Sequence, residues 1–557
     1  MKRIVSLVLA AAMMLSLVGS VAVAEEKPTL RLLTLLHSEQ TAAIEDIWFF
    51  KHLENKFNIK LELEATTNEA QAERQSQLLL ADDLPDLVWL GLSNSDAMTY
   101  GAGEGMLLDW NQYLNEETMP NAWKAKQEYP EAFVASTTPD GGLYSMPYIR
   151  GPVYANNTGA FSGSIRMNIN KEWLEAVGME KPATLDEFIA VARAFKEKDP
   201  GNVGEQLVPI IDNQNKVKDY IWNALGFYGC GTQAYGTQFS IKDGKIVLPA
   251  YTPEAKEFMT TMKTLYDEGL ISPDYFTLDQ TTNRGLVSAG VCGIFGDSTL
   301  QPAENNWKAW DSMSPLSSSV NETRVASINA VYSLGTYASA KTKYPEIVAA
   351  IVDYMYTDEA AMFYQSGPMK GTPEEQDGNG WYITEDGVVT NDLIQSNPTY
   401  TLTNGNTANY YINGLFDNYE AYRYEYAGVE HEQMYRPIVD VITGEEVQVP
   451  VADPSIWEDD NWDRHWRVSQ TAAMEHYLTF VKLPNVYLTR EQEDIIIDLR
   501  TVIENYITQE TPKFITGARS LDEFDAYQQE LKGLGIEEYI AIYAEAYAPY
   551  VASIFGE

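Results

Sequence analysis

The sequence predicts an α/β protein that begins with a largely parallel sheet and contains more than one hydrophobic core. Three observations lead to this prediction. A chain of 557 residues exceeds the roughly 250 to 300 residues at which a single core stops growing, so two large lobes or three domains are expected. Short apolar runs alternate with amphipathic stretches of helical period along much of the chain. Between Thr29 and Gly91 this alternation gives strand, helix, strand, helix and strand.

The stretch from Thr29 to Gly91 contains the elements of that first sheet. Its composition predicts strands at 29–36, 59–66 and 86–91, and helices at 41–58 and 69–83. Strands joined by helices run parallel, and ligands of such sheets bind beyond the carboxyl ends of the strands. Trp89, near the carboxyl end of the third predicted strand, is therefore a candidate ligand contact.

Helix start signals mark the later part of the chain. Ser or Thr followed three residues later by Glu or Gln forms a capping box, and this pattern begins at Thr184, Thr489 and Ser520. The similar pentapeptides "TLDEF" and "SLDEF" are two such starts and not an internal repeat, because their flanking sequences do not align. Thr252 and Pro253 predict another helix start through an N-cap and a first-turn proline.

Two longer stretches in the second half of the chain carry further structural signals. The helix after Thr489 is predicted to bury one face formed by Ile495, Leu499, Val502 and Tyr506. From Gly367 to about Val481 the periodicity weakens while aromatic residues stay frequent. Disordered segments are poor in aromatics, so this region is more typical of binding loops.

The N-terminus indicates an exported protein. Lys2 and Arg3 precede an apolar run and an Ala-x-Ala site ending at Ala24, so residues 1–24 are predicted to be a secretory signal peptide. No later run reaches the ~18 apolar residues of a membrane-spanning helix, so no direct membrane insertion is expected. A lipid anchor at the cleavage point would need a cysteine there, and the sequence has only Cys230 and Cys292. We expect an extracellular or periplasmic protein without a lipid anchor.

Charge and cysteine content narrow the partners. The net charge of −41 disfavours nucleic acid and anionic lipid, and favours neutral or cationic partners. Cys230 and Cys292 form either one disulfide, closing a loop of roughly 60 residues, or two buried thiols. The sequence leaves both alternatives open.

Five segments occur in a fixed order along the chain. They are "LPDLVWL" from Leu84, "DGGLYSMPY" from Asp140, "NKEWLEAVGMEKPATLDEF" from Asn170, "TLYDEGLISPDYF" from Thr264, and "KFITGARSLDEFDAYQQELKGLGIEEYIAIYAEAYAPY" from Lys513. Together they resemble extracellular solute-binding proteins of family 1, in the long subgroup that includes LipO-type lipoproteins and alginate-binding proteins. Each segment alone is a weak signal, but the ordered set is specific.

The resemblance implies a type II periplasmic-binding-protein-like fold, in which two discontinuous lobes joined by a hinge close on a ligand. It implies an N-terminal lobe of residues 25–150 plus 285–340 and a C-terminal lobe of 151–284 plus 341–557, with crossings near Tyr148, Gly285 and Ala340. Relatives mostly carry oligosaccharides to the permease subunits of an ABC transporter. An oligosaccharide ligand, permease partners and a monomeric protein are therefore expected.

Candidate ligand contacts follow from the chemistry of sugars. Flat aromatic faces suit the apolar side of a pyranose, and planar polar groups suit its hydroxyls. Such residues lie at predicted strand ends, in the first crossing segment and in aromatic loops. The candidates are Trp89, Tyr148, Arg150, Tyr154, Arg166, Asn168, Trp222, Tyr228, Asp297, Trp381, Trp462, Arg464 and Trp466.

Relatives often carry an EF-hand-like calcium loop where this chain has "DPGNVGEQLVP" from Asp199. Calcium requires about 6 to 8 oxygen ligands, yet Gly201 and Val203 occupy two alternate positions and "LV" replaces the acidic pair before the final proline. We expect the loop to persist as a turn without an ion, so no cofactor is predicted.

Catalytic motifs are scarce. The five histidines include no HExxH pair, and neither a Gly-x-Ser-x-Gly elbow nor a phosphate loop occurs in the sequence. We therefore expect a binding protein and not an enzyme. Two alternatives stay open, namely a binding protein for peptides or another non-sugar solute, and a secreted glycoside hydrolase that uses two of the 80 acidic residues.

Overall fold

The N-terminal lobe is built on a four-stranded sheet. The computed structural model describes residues 27–35, 43–67, 70–150, 165–229, 234–328, 331–371, 381–383, 389–390, 428, 435–451, 461–484 and 486–556. The strands are β1 (Thr29–Leu35), β2 (Lys60–Thr66), β3 (Leu87–Trp89) and β13 (Tyr337–Ala338), in the order β13-β3-β1-β2. β1 is parallel to β2 and β3, whereas β13 is antiparallel to β3. The predicted parallel sheet is thus confirmed.

Helices cover both faces of this sheet, because β1 is apolar on both sides. Leu30 and Leu32 belong to one core cluster, and Leu33 and Leu35 belong to another on the opposite face. The helices, numbered in chain order through both lobes, are α1 (Trp48–Phe57), α2 (Gln71–Ala81), α3 (Pro120–Glu128), α4 (Pro130–Ser136), α10 (Pro345–Tyr354) and α11 (Asp358–Ser366), and a π-helical turn spans Ala97–Gly103.

An antiparallel ribbon connects the two lobes. It consists of β4 (Pro147–Arg150) and β12 (Val331–Leu334), and Tyr148 is paired with Ser333. β4 follows the N-terminal sheet in the chain, and β12 returns to it shortly before β13. Since both strands lie between lobe segments, this ribbon is one of the crossings.

The C-terminal lobe is built on a second four-stranded sheet. Its strands are β5 (Met167–Asn170), β6 (Ile210–Asp212), β9 (Ile294–Gly296) and β10 (Trp310–Ser312), in the order β10-β5-β9-β6. β6 and β9 are parallel, whereas β5 is antiparallel to β9 and β10. Met167 and Ile169 face the large core of the lobe, so Asn168 between them faces the other side.

Most of the remaining elements belong to this lobe, whereas the two short strands after Trp381 follow the N-terminal core. The helices are α5 (Lys171–Val177), α6 (Leu185–Lys198), α7 (Lys216–Ala224), α8 (Glu254–Asp267), α9 (Gln280–Ser288), α12 (Trp462–Met474), α13 (Arg490–Ile515), α14 (Phe524–Gly533) and α15 (Ile536–Phe555). Two-stranded pairs are β7 (Ser240–Lys242) with β8 (Lys245–Val247), β11 (Ala326–Ser327) with β18 (Leu478–Thr479), β14 (Tyr382–Ile383) with β15 (Val389–Thr390), and β16 (Tyr435–Val439) with β17 (Glu446–Pro450).

The lobe boundaries differ from the predicted ones. Gly285 lies within α9, and β9 and β10 are strands of the C-terminal sheet, so residues 285–328 belong to the C-terminal lobe. Beyond Ala340, α10 and α11 pack into the N-terminal core, so residues 341–371 belong to the N-terminal lobe. The predicted crossings near Gly285 and Ala340 are therefore wrong. The local composition of a strand does not show which of the two sheets it joins.

The helix starts predicted from capping boxes are confirmed, whereas the cap predicted at Thr252 is not. All three capping boxes are present, at Thr184, Thr489 and Ser520. Thr252 is not an N-cap, because its hydroxyl donates to the carbonyl of Pro249 at 2.8 Å and α8 begins after Pro253. Thr252 therefore closes the turn before α8 and does not cap the helix.

The buried face of α13 also differs from the predicted one. Ile495 and Val502 are 42% and 48% exposed, whereas Ile496, Ile503 and Ile507 are fully buried. Three consecutive isoleucines, 495–497, satisfy more than one helical register, so spacing alone does not select the face that packs against α8 and α15.

No helix among the described residues is long and apolar enough to span a membrane. Two polar side chains of these residues are buried. Asp353 in apolar α10 is buried, and it accepts hydrogen bonds from Asn121 at 2.7 Å and the Ala122 amide at 2.8 Å. Cys292 is a buried free thiol, and Cys230 lies outside the described residues.

Candidate ligand-binding site

The carboxyl ends of β6 and β9 lie side by side and carry the polar residues of the candidate site. Asp212 ends β6 and is paired with Gly296, the last residue of β9, and Asp297 follows directly. Parallel strands of α/β folds bind ligands beyond their carboxyl ends. Asp212 and Asp297 therefore mark the edge of the C-terminal lobe where a ligand is expected.

Asp297 is a buried carboxylate whose two oxygens are fully engaged. Arg284 on α9 binds both of them, with Nε 2.9 Å from Oδ2 and Nη2 2.9 Å from Oδ1. Asn213 donates from Nδ2 to Oδ2 at 2.6 Å, and the Thr299 amide donates to Oδ1 at 3.2 Å. Asp297 is 1% exposed, so the bidentate pair holds the Arg284 guanidinium in one orientation at the site.

Arg166 lies across the start of β5 beside Asp297. Its carbonyl accepts a hydrogen bond from the Asp297 amide at 3.1 Å, and its Nη1 donates to the Ser298 carbonyl at 2.9 Å. Its guanidinium carbon lies 5.7 Å from the centroid of the Trp466 ring. Because Trp466 belongs to α12, the start of β5, the end of β9 and α12 meet in one polar and aromatic corner.

A cavity of about 380 Å³ opens beside this corner, at the end of β6. Ligand pockets typically measure about 300 to 1,000 Å³, so the cavity suits a small ligand or one part of a longer one. Its lining includes two phenols, Tyr235 and Tyr275, and two apolar residues, Phe276 and Leu278. It also includes five carboxamides, Asn213, Gln214, Asn215, Gln280 and Asn283.

A buried ion pair forms one wall of the cavity. Lys218 Nζ lies 2.7 Å from Asn215 Oδ1 and 3.4 Å from Asp212 Oδ2. The hydroxyl of Tyr275 donates to Asp212 Oδ2 at 2.5 Å, and Lys218 Nζ lies 4.6 Å from the Tyr275 ring centroid. Lys218 and Asp212 are 5% and 9% exposed. Breaking such a buried pair is costly, so its charges are paired before a ligand binds.

Both phenols of the cavity are hydrogen-bond donors at neutral pH. Burial raises the pKa of Tyr235 to about 12, with a further contribution from Asp212. Burial, and then the charge and hydrogen bond of Asp212, raise the pKa of Tyr275 well above its ordinary value. The two hydroxyls therefore stay protonated over the whole physiological range.

The backbone around the cavity is strained. Gln214 and Asn215 have φ angles of 55° and 60°, and Ala234, next to Tyr235, has a φ of 40°. Left-handed conformations of non-glycine residues such as Gln and Ala cost about 1 to 3 kcal/mol and concentrate at functional sites. The strain is thus a second, independent indication of function at this cavity.

A second cavity, of about 410 Å³, lies at the opposite edge of the sheet between β10 and α12. There the Asp311 carboxylate lies 2.8 Å from Lys181 and 3.7 Å from Lys171. Burial alone would raise the pKa of Asp311, but the Lys181 hydrogen bond and the charges of Lys181 and Lys171 outweigh it and lower the pKa. These contacts join β10 to neighbouring elements. In the sheet order β10 is the edge strand farthest from β6.

Four of the predicted contacts are core residues. Trp89 stacks on Phe50 in the N-terminal core, and Trp381 is buried in the same cluster. Trp222 stacks on Phe258 with ring centroids 4.1 Å apart, and Tyr228 packs in a small cluster of the C-terminal lobe. All four rings are buried, so the structure gives them packing roles and no surface for a ligand.

The other predicted residues are more dispersed. Tyr148 is half-buried in β4, and Arg150 ends that strand, so both lie in the ribbon between the lobes. Asn168 is buried in β5, and its carboxamide has no hydrogen-bond partner among the described residues. Trp462 and Arg464 are half-buried at the start of α12. Tyr154 lies outside the described residues.

The structure brings Arg166, Asp297 and Trp466 together and adds residues that were not among the predicted ligand contacts. Asp212 to Asn215 directly follow the apolar run of β6, so the strand-end argument applied to Trp89 would have identified them. No local signal marks Lys218, Tyr275 or Arg284, because they come from helices and loops that reach the site only in the folded chain.

The loop after α6 gives no sign of a metal site. Asp199 accepts hydrogen bonds from the amides of Val203 and Gly204, each at 2.8 Å, which close a turn. Among the residues that the structure describes, no group of three or more His, Cys, Asp or Glu side chains is arranged to hold a metal ion. The absence of a bound calcium ion stays a prediction.

The two sheets, the connecting ribbon and the polar pocket at the strand ends define a two-lobed solute-binding protein with a type II periplasmic-binding fold. An extracellular solute-binding protein from Bifidobacterium longum subsp. infantis has the same fold, with a TM-score of 0.73, 18% identity and coverage of 95% of this chain and 99% of that one. Alginate-binding protein AlgQ2 without calcium ion gives a TM-score of 0.66 at 19% identity, covering 94% and 98%.

Sequence comparison identifies the family. The profile of the family described as "Bacterial extracellular solute-binding protein" matches residues 39–362, more than half of the chain. The chain belongs to this family, which confirms the resemblance drawn from the five ordered segments. The fructooligosaccharide ABC transporter substrate-binding protein FusA of Streptococcus pneumoniae serotype 4 is 24% identical over 503 residues, 86% of this chain and 83% of that protein.

Proposed function

We propose that this protein is the substrate-binding component of an ABC importer, which captures an oligosaccharide between its lobes and delivers it to a membrane permease. One observation supports this most directly, namely the cavity at the end of β6 with its carboxamides, phenols and apolar rings. Amide and hydroxyl groups both donate and accept hydrogen bonds, as sugar hydroxyls require. The similarity to FusA, whose name states a fructooligosaccharide ligand, supports the same class of ligand.

Capture would use both lobes. The cavity and the corner formed by Arg166, Asp297 and Trp466 lie on the C-terminal lobe, and the β4–β12 ribbon joins that lobe to the N-terminal sheet. In our proposal the N-terminal lobe closes over a sugar seated at the strand ends. A closed complex would bury the sugar and give the permease partner a surface that differs from that of the empty protein.

The carboxylates of the site favour binding over catalysis. A glycoside hydrolase needs one carboxyl group as acid and a second as base or nucleophile. Asp297 is engaged by Arg284, Asn213 and Thr299, and Asp212 by Tyr275, Lys218 and the Val217 amide. Their oxygens are thus committed to structural hydrogen bonds, and we propose that the protein is a non-enzymatic, exported, monomeric carrier without a metal.

A ligand screen tests the proposal. The mature protein is mixed with oligosaccharides, peptides and amino acids, and thermal unfolding and tryptophan fluorescence are recorded. A ligand at ~100 times its dissociation constant stabilises the folded state by about 2.7 kcal/mol, which gives a clear shift. Stabilisation by at least one oligosaccharide is expected. A shift with peptides but with no sugar would refute the proposal, and release of new reducing ends would indicate a hydrolase.

A further inference from the structure

The charged groups around the cavity neutralise one another, which bears on the class of sugar that it accepts. Lys218 is paired with Asp212 at 3.4 Å, and Arg284 with Asp297 at 2.9 Å. Lys216, at the start of α7, is paired with Asp219 at 3.8 Å. Three of the described cations at this edge therefore face carboxylates of the protein itself, and a fourth, Arg166, contacts the Ser298 carbonyl and the Trp466 ring.

Binding a carboxylate-bearing sugar here would require these pairs to be broken. Counted without their backbone atoms, the Asp212 and Asp297 side chains are each only 1% exposed to solvent. Pulling Lys218 or Arg284 toward a ligand anion would leave a buried aspartate without its partner. Arg166 keeps its charge, but its guanidinium lies against the Ser298 carbonyl and the Trp466 ring and does not line the cavity. The pairing therefore works against anionic ligands.

The neutral lining of the cavity works in favour of uncharged ones. Asn213, Gln214, Asn215, Gln280 and Asn283 each carry both a donor and an acceptor. A sugar hydroxyl also donates and accepts, whereas a carboxylate at neutral pH only accepts. The Tyr275 hydroxyl donates its proton to Asp212. Tyr275 can therefore offer a ligand its ring faces and the lone pairs of its hydroxyl oxygen.

We infer that this cavity seats an uncharged sugar unit and rejects uronate units, so that the ligand is a neutral oligosaccharide. The inference rests on the proposed function and adds to it the charge class of the substrate. The volume of about 380 Å³ fits one end of an oligosaccharide better than the whole of it. The protein's net charge of −41 acts in the same direction at long range.

Paired ligands of matched length test the inference. Calorimetric titration compares neutral fructo- and galacto-oligosaccharides with oligogalacturonate and oligomannuronate, at about 20 mM and about 300 mM salt, since salt screens the long-range field but not contacts inside the site. Uronates are expected to bind at least about 30-fold more weakly at both salt concentrations. Tight uronate binding at high salt would overturn the inference, whereas failure of every sugar would overturn the proposed function instead.

A charge-matched pair of variants separates the pairing from the overall field. Asp212→Asn keeps the shape of the side chain but removes the charge that pairs with Lys218, so uronate affinity is expected to rise by about tenfold. Asp267→Asn makes the same change of net charge on α8, where Asp267 is paired with Lys263 at 2.8 Å outside the cavity lining, and is expected to leave the preference unchanged. Equal effects of the two variants would contradict the inference, and circular dichroism of both confirms that they are folded.

Discussion

Burial controls the chemistry of Cys292 at the scale of a single residue. The thiol is 1% exposed among Phe295, Trp310 and other residues of one apolar cluster, and burial raises its pKa above the ordinary value. The thiolate is the reactive form of cysteine, so a buried thiol with a raised pKa is inert. The structure therefore describes Cys292 as a packing residue.

We expect Cys292 to resist alkylation in the native protein. Iodoacetamide at pH 8 should leave it unmodified in buffer and modify it fully in about 6 M guanidinium, in which the core is exposed. Peptide mass mapping identifies the modified residue and distinguishes it from Cys230. Rapid native labelling of Cys292, or recovery of a peptide that joins Cys230 to Cys292, would contradict the prediction.

The lowered pKa of Asp311 gives a pH-dependent contribution to stability. A carboxyl group whose folded pKa is depressed contributes stability that is present above its unfolded pKa and is lost as the pH falls through the folded pKa. Burial opposes the ionised form of Asp311, and Lys181 and Lys171 favour it more strongly. The net contribution should thus be present at neutral pH, begin to fall as the pH approaches the ordinary pKa of 3.8, and be lost as the pH falls through the lower folded pKa.

We therefore expect Lys181→Met to destabilise the protein at pH 7 by about 0.5 kcal/mol, since Lys181 is partly exposed. The loss should be constant above about pH 5 and shrink as the pH falls through the ordinary pKa of 3.8 and then through the lower folded pKa of wild-type Asp311, because the variant lacks the lysine that keeps this carboxyl ionised. Urea unfolding at several pH values measures it. Lys124→Met, which removes a more exposed pair with Glu128 at 3.7 Å, is the control, and an equal effect there would refute the assignment.

At the scale of elements, the start of the C-terminal helices depends on one cap. Ser520 accepts a hydrogen bond from the Asp522 amide at 3.2 Å, and Glu523 accepts one from the Ser520 amide at 3.4 Å. The 3₁₀ turn Leu521–Glu523 then leads into α14, which buries Phe524, Tyr527 and Leu531. This capping box orients a helix whose apolar face completes the C-terminal core.

We expect Ser520→Ala to cost about 1 kcal/mol of unfolding free energy through the lost cap and to leave ligand affinity unchanged. Thr184→Ala removes the equivalent cap of α6, where the Glu187 amide donates at 3.2 Å, and should behave in the same way. Denaturant unfolding and ligand titration measure the two quantities. A large loss of affinity in a variant that still folds would show that the cap serves the binding site.

Sequence signals predicted elements whose causes are local. β1, β2 and β3 follow from their apolar runs, and the capping boxes at Thr184, Thr489 and Ser520 from side chains three residues apart. The lobe that receives residues 285–328 depends on pairing of β9 and β10 with β5, which no local pattern encodes. The site divides in the same way, since Asp297 ends a visible strand whereas Arg284 reaches it from α9.

At the scale of the whole molecule, contacts outside the ribbon also join the lobes. Val486 packs on the C-terminal core, and its carbonyl accepts a hydrogen bond from Asn94 of the N-terminal lobe at 2.7 Å. Tyr487 packs on an N-terminal core cluster and donates to the Ser136 carbonyl at 3.1 Å. Burial raises the pKa of the Tyr487 phenol above its ordinary value, so it stays a donor. Through residues 486 and 487 the two lobes are thus in direct contact outside the β4–β12 ribbon.

Removing this contact should change how the lobes move. In Tyr487→Ala the C-terminal lobe loses both a packed ring and a hydrogen bond to the N-terminal lobe, so we expect the ligand-free protein to sample more open arrangements and to show a larger radius of gyration by X-ray scattering. Tyr487→Phe keeps the packing and should resemble the wild type.

Because an open protein must close further to bind, ligand should compact the alanine variant more than the wild type, and the affinity of this variant should fall by the fraction of molecules held open. If the wild type and Tyr487→Ala gave superimposable scattering curves, both without ligand and with it, the ribbon alone would set the lobe arrangement.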